Sequence, residues 1–205
     1  KNLKNSTIVE VGCGKGYFIE KLISFLENNN IGYGFDPSYV GELEKFDGRL
    51  KFEKTFYDKN FSNIKADLVV SRHVIEHVPE PFEFILSIKE ALNNNTKVFF
   101  ETPSVDWILK NKVVFDFFYE HCSYFNLSST QALFKRAELS LESVKNIFGE
   151  QYLWIEGNNY SEVKSFNEIN IKELRNLISN FISFENTFIN YWKLKLQELK
   201  KYGEV

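Results

Sequence analysis

Glu120 and His121 stand side by side in FFYEHCSYF, residues 117–125, among aromatic neighbours. Two ionisable side chains are costly to bury in such a setting unless each finds a partner. They are therefore either a hydrogen-bonded structural pair or a base in a tuned environment. Histidine is suited to removing a proton near neutral pH, and aromatic walls that exclude water tune its pKa. A second group lies upstream in DLVVSRHVIEHVPEP, residues 67–81. There His73, Glu76 and His77 spell H-x-x-E-H, a pattern found in zinc hydrolases. On a helix, His73 and His77 would share one face, with His121 as a third ligand. His73 follows directly on a strand pattern, which works against helical spacing. Polar residues at a strand–helix junction are the plainer reading, and no metal is assigned.

A third group surrounds a glycine loop. The first strand pattern, TIVEV, runs into Glu10-Val-Gly12-Cys13-Gly14-Lys-Gly16, and an amphipathic helix pattern follows. A strand–glycine loop–helix unit brings a ligand against bare backbone at a helix N-terminus. Asp36 stands twenty residues after Gly16, at the end of the second strand pattern. That is where an acid accepts hydrogen bonds from ribose hydroxyls. An adenosine-containing ligand is expected, against the plainer alternative of a tight turn and a surface aspartate. The spacing is G-x-G-x-G rather than the dinucleotide G-x-G-x-x-G, and Glu10 precedes it. A carboxylate there repels a pyrophosphate and attracts an amino group, so a dehydrogenase is disfavoured.

The elements that must position these groups alternate between strand and helix patterns. YFIEKLISFLE is a helix pattern ended by Asn28, Asn29 and Asn30, and IGYGFD is a strand. LKFEKTF and ADLVVS are two more strands. PFEFILSIKEAL is a helix ended by Asn93, Asn94 and Asn95, and TKVFFETP is the next strand. Asparagine favours helix ends because it tolerates left-handed backbone angles. NLSSTQALFKRAEL reads as a helix with serine and threonine near its start. SLESVKNIF and QYLWIEG read as an antiparallel pair at the sheet edge. Apolar strands between helices argue for a doubly wound α/β sheet covered on both faces. From 168 to 202, Ile171, Leu174, Ile178, Phe181, Phe188, Trp192 and Leu199 form a helical apolar stripe. This predicts one long helix or two broken ones, packed on the domain or on a partner helix.

The composition suits a globular domain: 205 residues, 43% hydrophobic and 26% charged, with 21 Phe to fill a core. A net charge of −3 supplies no field that attracts nucleic acid or a membrane surface. No apolar run approaches the roughly 20 residues that span a bilayer. The N-terminal residues do not read as a signal peptide, because a strand pattern begins almost at once. Cys13 and Cys122 lie far apart without metal spacing, as in a reduced, cytoplasmic protein. The absence of methionine, even at position 1, is what a fragment of a longer chain or a trimmed product is expected to show.

The glycine loop resembles that of the class I S-adenosylmethionine (SAM)-dependent methyltransferases, whose motif reads E/D-x-G-x-G-x-G. The resemblance implies a Rossmann-like, mostly parallel seven-stranded sheet with an antiparallel edge hairpin and a long C-terminal helix. It implies SAM as cofactor. Gly12, Cys13, Gly14 and Gly16 would lie against its methionine part, Glu10 would hold its amino end, and Asp36 its ribose. Pro37, Phe56 and Tyr57 would serve the adenine, while Arg72, His73 and His77 would line the ligand end of the sheet. The segment FFETPSVDWI…FDFFYEHCSYF narrows the resemblance to the sugar C-methyltransferase type and related surface-polysaccharide enzymes. There His121 would be the base that removes a proton from a carbon beside a ketone, with Glu120 as its orienter. Tyr119 and Tyr124 would bind the acceptor or polarise its carbonyl.

That resemblance covers residues 6–157 and implies a small-molecule sugar acceptor, no nucleic acid and no membrane. It divides the chain into a methyltransferase domain, 1–160, and a helical extension, 161–205, through which a homo-oligomer could form. Phe148-Gly149-Glu150-Gln151-Tyr152 departs from the Gly-Gly-Ser strand start of the C-methyltransferases. Sugar O-methylation therefore stays a rival. A zinc hydrolase and a non-catalytic binding module are the more distant alternatives.

Overall fold

The computed structural model describes residues 3–26, 29–159 and 171–203. The chain runs β1 (Thr7–Val11), α1 (Tyr17–Phe25), β2 (Ile31–Phe35), β3 (Glu44–Lys45), β4 (Leu50–Glu53) and β5 (Ala66–Arg72). It continues with α2 (Pro81–Glu90), β6 (Leu92–Pro103), α3 (Val105–Asn111), α4 (Leu127–Arg136), β7 (Ser140–Ile147), β8 (Tyr152–Asn158) and α5 (Ile171–Leu199). One eight-stranded sheet has the order β3-β4-β2-β1-β5-β6-β8-β7. The five strands from β4 to β6 are parallel, and the β7–β8 hairpin joins β6 antiparallel. The seven expected strands are all present. The eighth, β3, is a two-residue strand antiparallel to β4, too short to leave a periodic signal.

Central strands are apolar on successive residues because both faces of the sheet are covered. In β1, Ile8 joins α1 residues Ile19 and Ile23 on one face. Val9, its neighbour, joins Ile85 and Ile88 of α2 and Phe134 of α4 on the other. Phe100 and Phe134 are fully buried and meet edge to face with ring centroids 5.2 Å apart. Such a pair contributes about 0.5–1.5 kcal/mol beyond the area it buries.

The reversal of strand order falls at β1, between β2 and β5. In open α/β sheets, ligands bind at that switch point, outside the carboxyl ends of the strands. The glycine loop, the 72–77 segment and the end of β6 all emerge there.

One expectation about boundaries changes, and one alternative is decided. Asn93, Asn94 and Asn95 lie inside β6 instead of ending the preceding helix. They fit through an irregularity: pairing steps from Ala66↔Leu92 to Leu68↔Lys97. The Thr96 hydroxyl donates to the Ala66 carbonyl and accepts from the Asn93 N–H. The C-terminal stripe is one unbroken helix of 29 residues, about 43 Å long at 1.5 Å per residue. Residue 28 of the first asparagine run, the proposed 160/161 boundary and residues 168–170 lie outside the described residues.

Candidate active site

The glycine loop is held from below by the carbonyl of Phe35, which accepts from the N–H of Gly12 at 2.8 Å and of Cys13 at 3.0 Å. Glu10, only 3% exposed, accepts from the Ile19 N–H at 3.2 Å. It thereby satisfies a free donor in the first turn of α1. Burial first of all raises its pKa to about 7, against the opposing charge of Arg72. Asp36 accepts from the Gly14 N–H at 2.8 Å through one oxygen. Its other oxygen accepts from the N–H and hydroxyl of Ser38. A carboxylate offers about four lone-pair sites, so capacity remains for a ligand hydroxyl.

These groups line a cleft of about 1040 Å³. Of the residues expected at the cofactor, Glu10, Gly12, Cys13, Gly14, Asp36, Pro37, Phe56, Tyr57, Arg72, His73 and His77 all line it. Gly16 does not. It caps α1 with φ 78°, and a Cβ there would stand 2.5 Å from the Phe52 ring. Its glycine serves packing and backbone angle. Gly14 is different: at φ +55° a Cβ would meet no atom within 4 Å, so it would project into open space. Arg72 lies over the Phe18 ring at 4.3 Å, and its Nε is buried without a hydrogen-bond partner among the described residues. A bare loop, two acids and an unpartnered guanidinium nitrogen fit a zwitterionic amino acid joined to a ribose.

At the other end of the cleft, the H-x-x-E-H segment is not an α-helix. His73 has φ 53°, and only Ile75–His77 form a single 3₁₀ turn. His73 and His77 therefore do not share a face at helical spacing. The His73 imidazole instead bridges two acids, with Nε2 3.0 Å from Glu101 and Nδ1 3.5 Å from Glu76. The hydrogen bond to Glu76 first, then the nearby charges of Glu101 and Glu76, raise the His73 pKa against the effect of burial. Glu76, 2% exposed, also accepts from the Thr102 hydroxyl at 3.0 Å.

This turn receives the FFYEHCSYF loop. The Glu76 carbonyl accepts from the N–H of Cys122 at 2.7 Å and of Ser123 at 3.1 Å. His77 Nδ1 lies 3.2 Å from the Glu120 carbonyl. A carbonyl can only accept, so Nδ1 carries the proton and the lone pair of neutral His77 lies on Nε2. The His121 ring meets those of His77 at 4.8 Å, Phe118 at 5.1 Å and Tyr124 at 5.5 Å. Burial, then the neighbouring His77, lowers the His121 pKa. Its Nδ1 is buried with no hydrogen-bond partner among the described residues. Behind the loop, Phe117 packs on Phe181 of α5 at 5.1 Å and Phe115 on Phe188 at 6.1 Å.

The expected roles in this loop separate. The Glu120 carboxylate makes no hydrogen bond or ion pair among the described residues, and its carbonyl orients His77 rather than His121. Tyr119 is 99% exposed. The Tyr124 hydroxyl donates to the Phe118 carbonyl at 3.3 Å, closing the loop on itself. Sequence reasoning missed Phe18 beneath Arg72 and the Glu76–His73–Glu101 network. An acid just past the end of β5 and another in the last residues of β6 are the signal that pointed there.

The chain belongs to the methyltransferase domain family, whose sequence profile matches residues 1–144. The cleft described above lies within the matched residues. Among curated proteins it is similar to the tRNA U34 carboxymethyltransferase of Campylobacter fetus subsp. fetus. The two are 32% identical over 108 residues, which make up 49% of this chain and 38% of that relative. The match thus spans well under half of the relative's length. A chain in the complex between the Haloferax volcanii Trm112 methyltransferase activator and a methyltransferase has the same fold. Its TM-score is 0.60 at 14% identity, over 77% of this chain and 84% of that one. A SAM-dependent methyltransferase from Mesorhizobium loti matches with TM-score 0.57 at 12% identity, over 77% and 93%.

These relatives correct one expectation. A small-molecule sugar acceptor with nucleic acid set aside does not stand, because the curated relatives are named for tRNA U34. Net charge sums over the whole surface and says little about the field at one cleft. The narrower likeness to sugar C-methyltransferases is not carried by these relatives. Among the described residues, no helix is long and apolar enough to cross a membrane.

Proposed function

We propose that the chain transfers a methyl group from SAM to a nucleophile on an RNA, with His121 removing the acceptor's proton. The observation that carries the base assignment is the seating of His121 against His77 at the edge of the cofactor cleft. The RNA acceptor rests on the tRNA-directed relatives. A cytoplasmic setting accompanies that acceptor.

SAM supplies an activated methyl group, so the protein mainly aligns the reactants. Glu10 meets the amino end, the loop at Gly12 and Gly14 admits the methionine part, and Asp36 accepts from the ribose. Pro37, Phe56 and Tyr57 flank the base. On the acceptor side, His121 takes a proton from a hydroxyl or an acidic carbon. Tyr124 and Phe118 hold its ring, and the Glu120 carbonyl fixes the ring beside it. Tyr119 stands free to meet the acceptor.

Calorimetry with S-adenosylhomocysteine tests the cofactor half; no binding at millimolar concentration overturns it. Incubation of the chain with SAM and bulk tRNA, followed by nucleoside mass spectrometry, tests the acceptor half. A gain of one methyl on a nucleoside is expected. RNA left unchanged while S-adenosylhomocysteine binds rejects the RNA acceptor and keeps the cofactor site.

A further inference from the structure

Glu76, His77 and His121 come from two separate segments, yet each places a ligand atom within 4.8 Å of the others. We propose that these three side chains form a site for a borderline divalent cation of the zinc class, and that the bound cation shuts off His121 as a base. The shut-off part rests on the base assignment above; the site itself does not.

The donor set is two imidazoles and one carboxylate, which suits zinc and its neighbours in the first transition row. Metal-binding histidines usually donate the second ring N–H to a carbonyl or carboxylate, which orients the free nitrogen. His77 has that arrangement, with Nδ1 on the Glu120 carbonyl and Nε2 left to bind. Glu76 is likewise oriented from behind, by the Thr102 hydroxyl on one oxygen and His73 on the other. His121 adds a buried ring nitrogen with no partner among the described residues. Ligands on a tetrahedral zinc stand about 3.4 Å apart, so a contraction of up to about 1.4 Å from the 4.8 Å bound brings the three onto one ion. His77 lines the cleft, which leaves the remaining coordination position facing the acceptor space.

The H-x-x-E-H spelling thus contributes two of its three residues to the cluster. The third, His73, is turned away onto Glu101 and replaced by a histidine 44 positions beyond His77. A cation at this corner engages the imidazole lone pair that would otherwise accept the acceptor's proton. Cofactor binding, at the other end of the cleft, is untouched.

The test uses untagged, chelator-treated protein, because the chain has only three histidines and a histidine tag would mask the site. Zinc titration by calorimetry should give one ion per chain. Cobalt should give the visible absorption of a four- or five-coordinate site. His77→Ala and His121→Ala should each weaken zinc binding by about 100-fold or more, a loss at least as large as that of removing an orienting partner. Glu76→Gln should do the same. Because Glu76 is buried and His77 lines the cofactor cleft, His121→Ala, with unchanged S-adenosylhomocysteine affinity, is the variant that guards against misfolding. Zinc should lower methyl transfer by the wild-type chain in step with occupancy, and chelator should restore it. Failure to bind zinc, or equal binding by all variants, overturns the site while S-adenosylhomocysteine binding still supports the methyltransferase reading. Methyl transfer that rises with zinc overturns the shut-off.

Discussion

The two ends of the cleft are built in different ways. The cofactor end is nearly continuous: β1, the glycine loop, α1 and β2 carry Glu10, Gly12, Gly14 and Asp36 within one strand–helix–strand unit. The acceptor end is assembled from the 72–77 turn, the end of β6 and the 117–125 loop, with α5 packed behind that loop. A contiguous unit tolerates change elsewhere in the molecule. An assembled corner depends on each distant segment arriving in place. The two ends should therefore fail separately when mutated.

The largest separation is expected from His121→Ala. Loss of a positioned base should lower turnover by about 100- to 10,000-fold, and S-adenosylhomocysteine affinity should hold within about twofold. A large fall in affinity would break the division between the two ends. The converse is Asp36→Ala. Losing a charge-assisted hydrogen bond, worth about 1.5–3 kcal/mol, should weaken S-adenosylhomocysteine binding by about 10- to 100-fold. Calorimetry reads this directly.

The pH dependence of cofactor affinity tests the cofactor end alone. Burial holds the Glu10 pKa at about 7, lowered in part by Arg72 and the Ile19 N–H and raised by Asp36. A ligand ammonium binds the ionised carboxylate. Below pH 7 that carboxylate must first lose a proton, so affinity should fall as pH drops, by up to about tenfold per unit. It should level off above pH 7. Glu10→Gln should flatten the profile; an unchanged slope would assign the titration elsewhere.

A smaller effect is expected from Phe181→Ala on α5. Phe181 is 6% exposed and packs on Phe117. Its loss should loosen the 117–125 loop, raise hydrogen exchange there and lower turnover severalfold, with cofactor affinity kept. The smallest belongs to Tyr119→Ala, whose side chain is 99% exposed. Stability should change by no more than about 0.5 kcal/mol, as thermal melting would report.

Legibility followed the same division. Glu10, the glycines and Asp36 were readable because local spacing along one strand–helix–strand unit sets their separation. Gly16 read as a ligand contact from the motif alone, but only the position of the Phe52 ring shows that a side chain there would collide. Asn93 to Asn95 read as a helix end, because local preference carries no information about pairing with β5. The H-x-x-E-H spelling suggested one helical face. The left-handed backbone at His73 and the pull of Glu101 turned that histidine elsewhere.

Residue order alone determined the alternation of strand and helix, the apolar faces, the cofactor loop and its distant acid. All of these follow from periodicity and short-range backbone geometry. Only the folded chain decided that His121 stands against His77 rather than beside the carboxylate of Glu120. Only it made Glu76 the shared anchor of both segments. Those contacts join residues more than forty positions apart, and long-range packing, which no local spacing encodes, sets their distances.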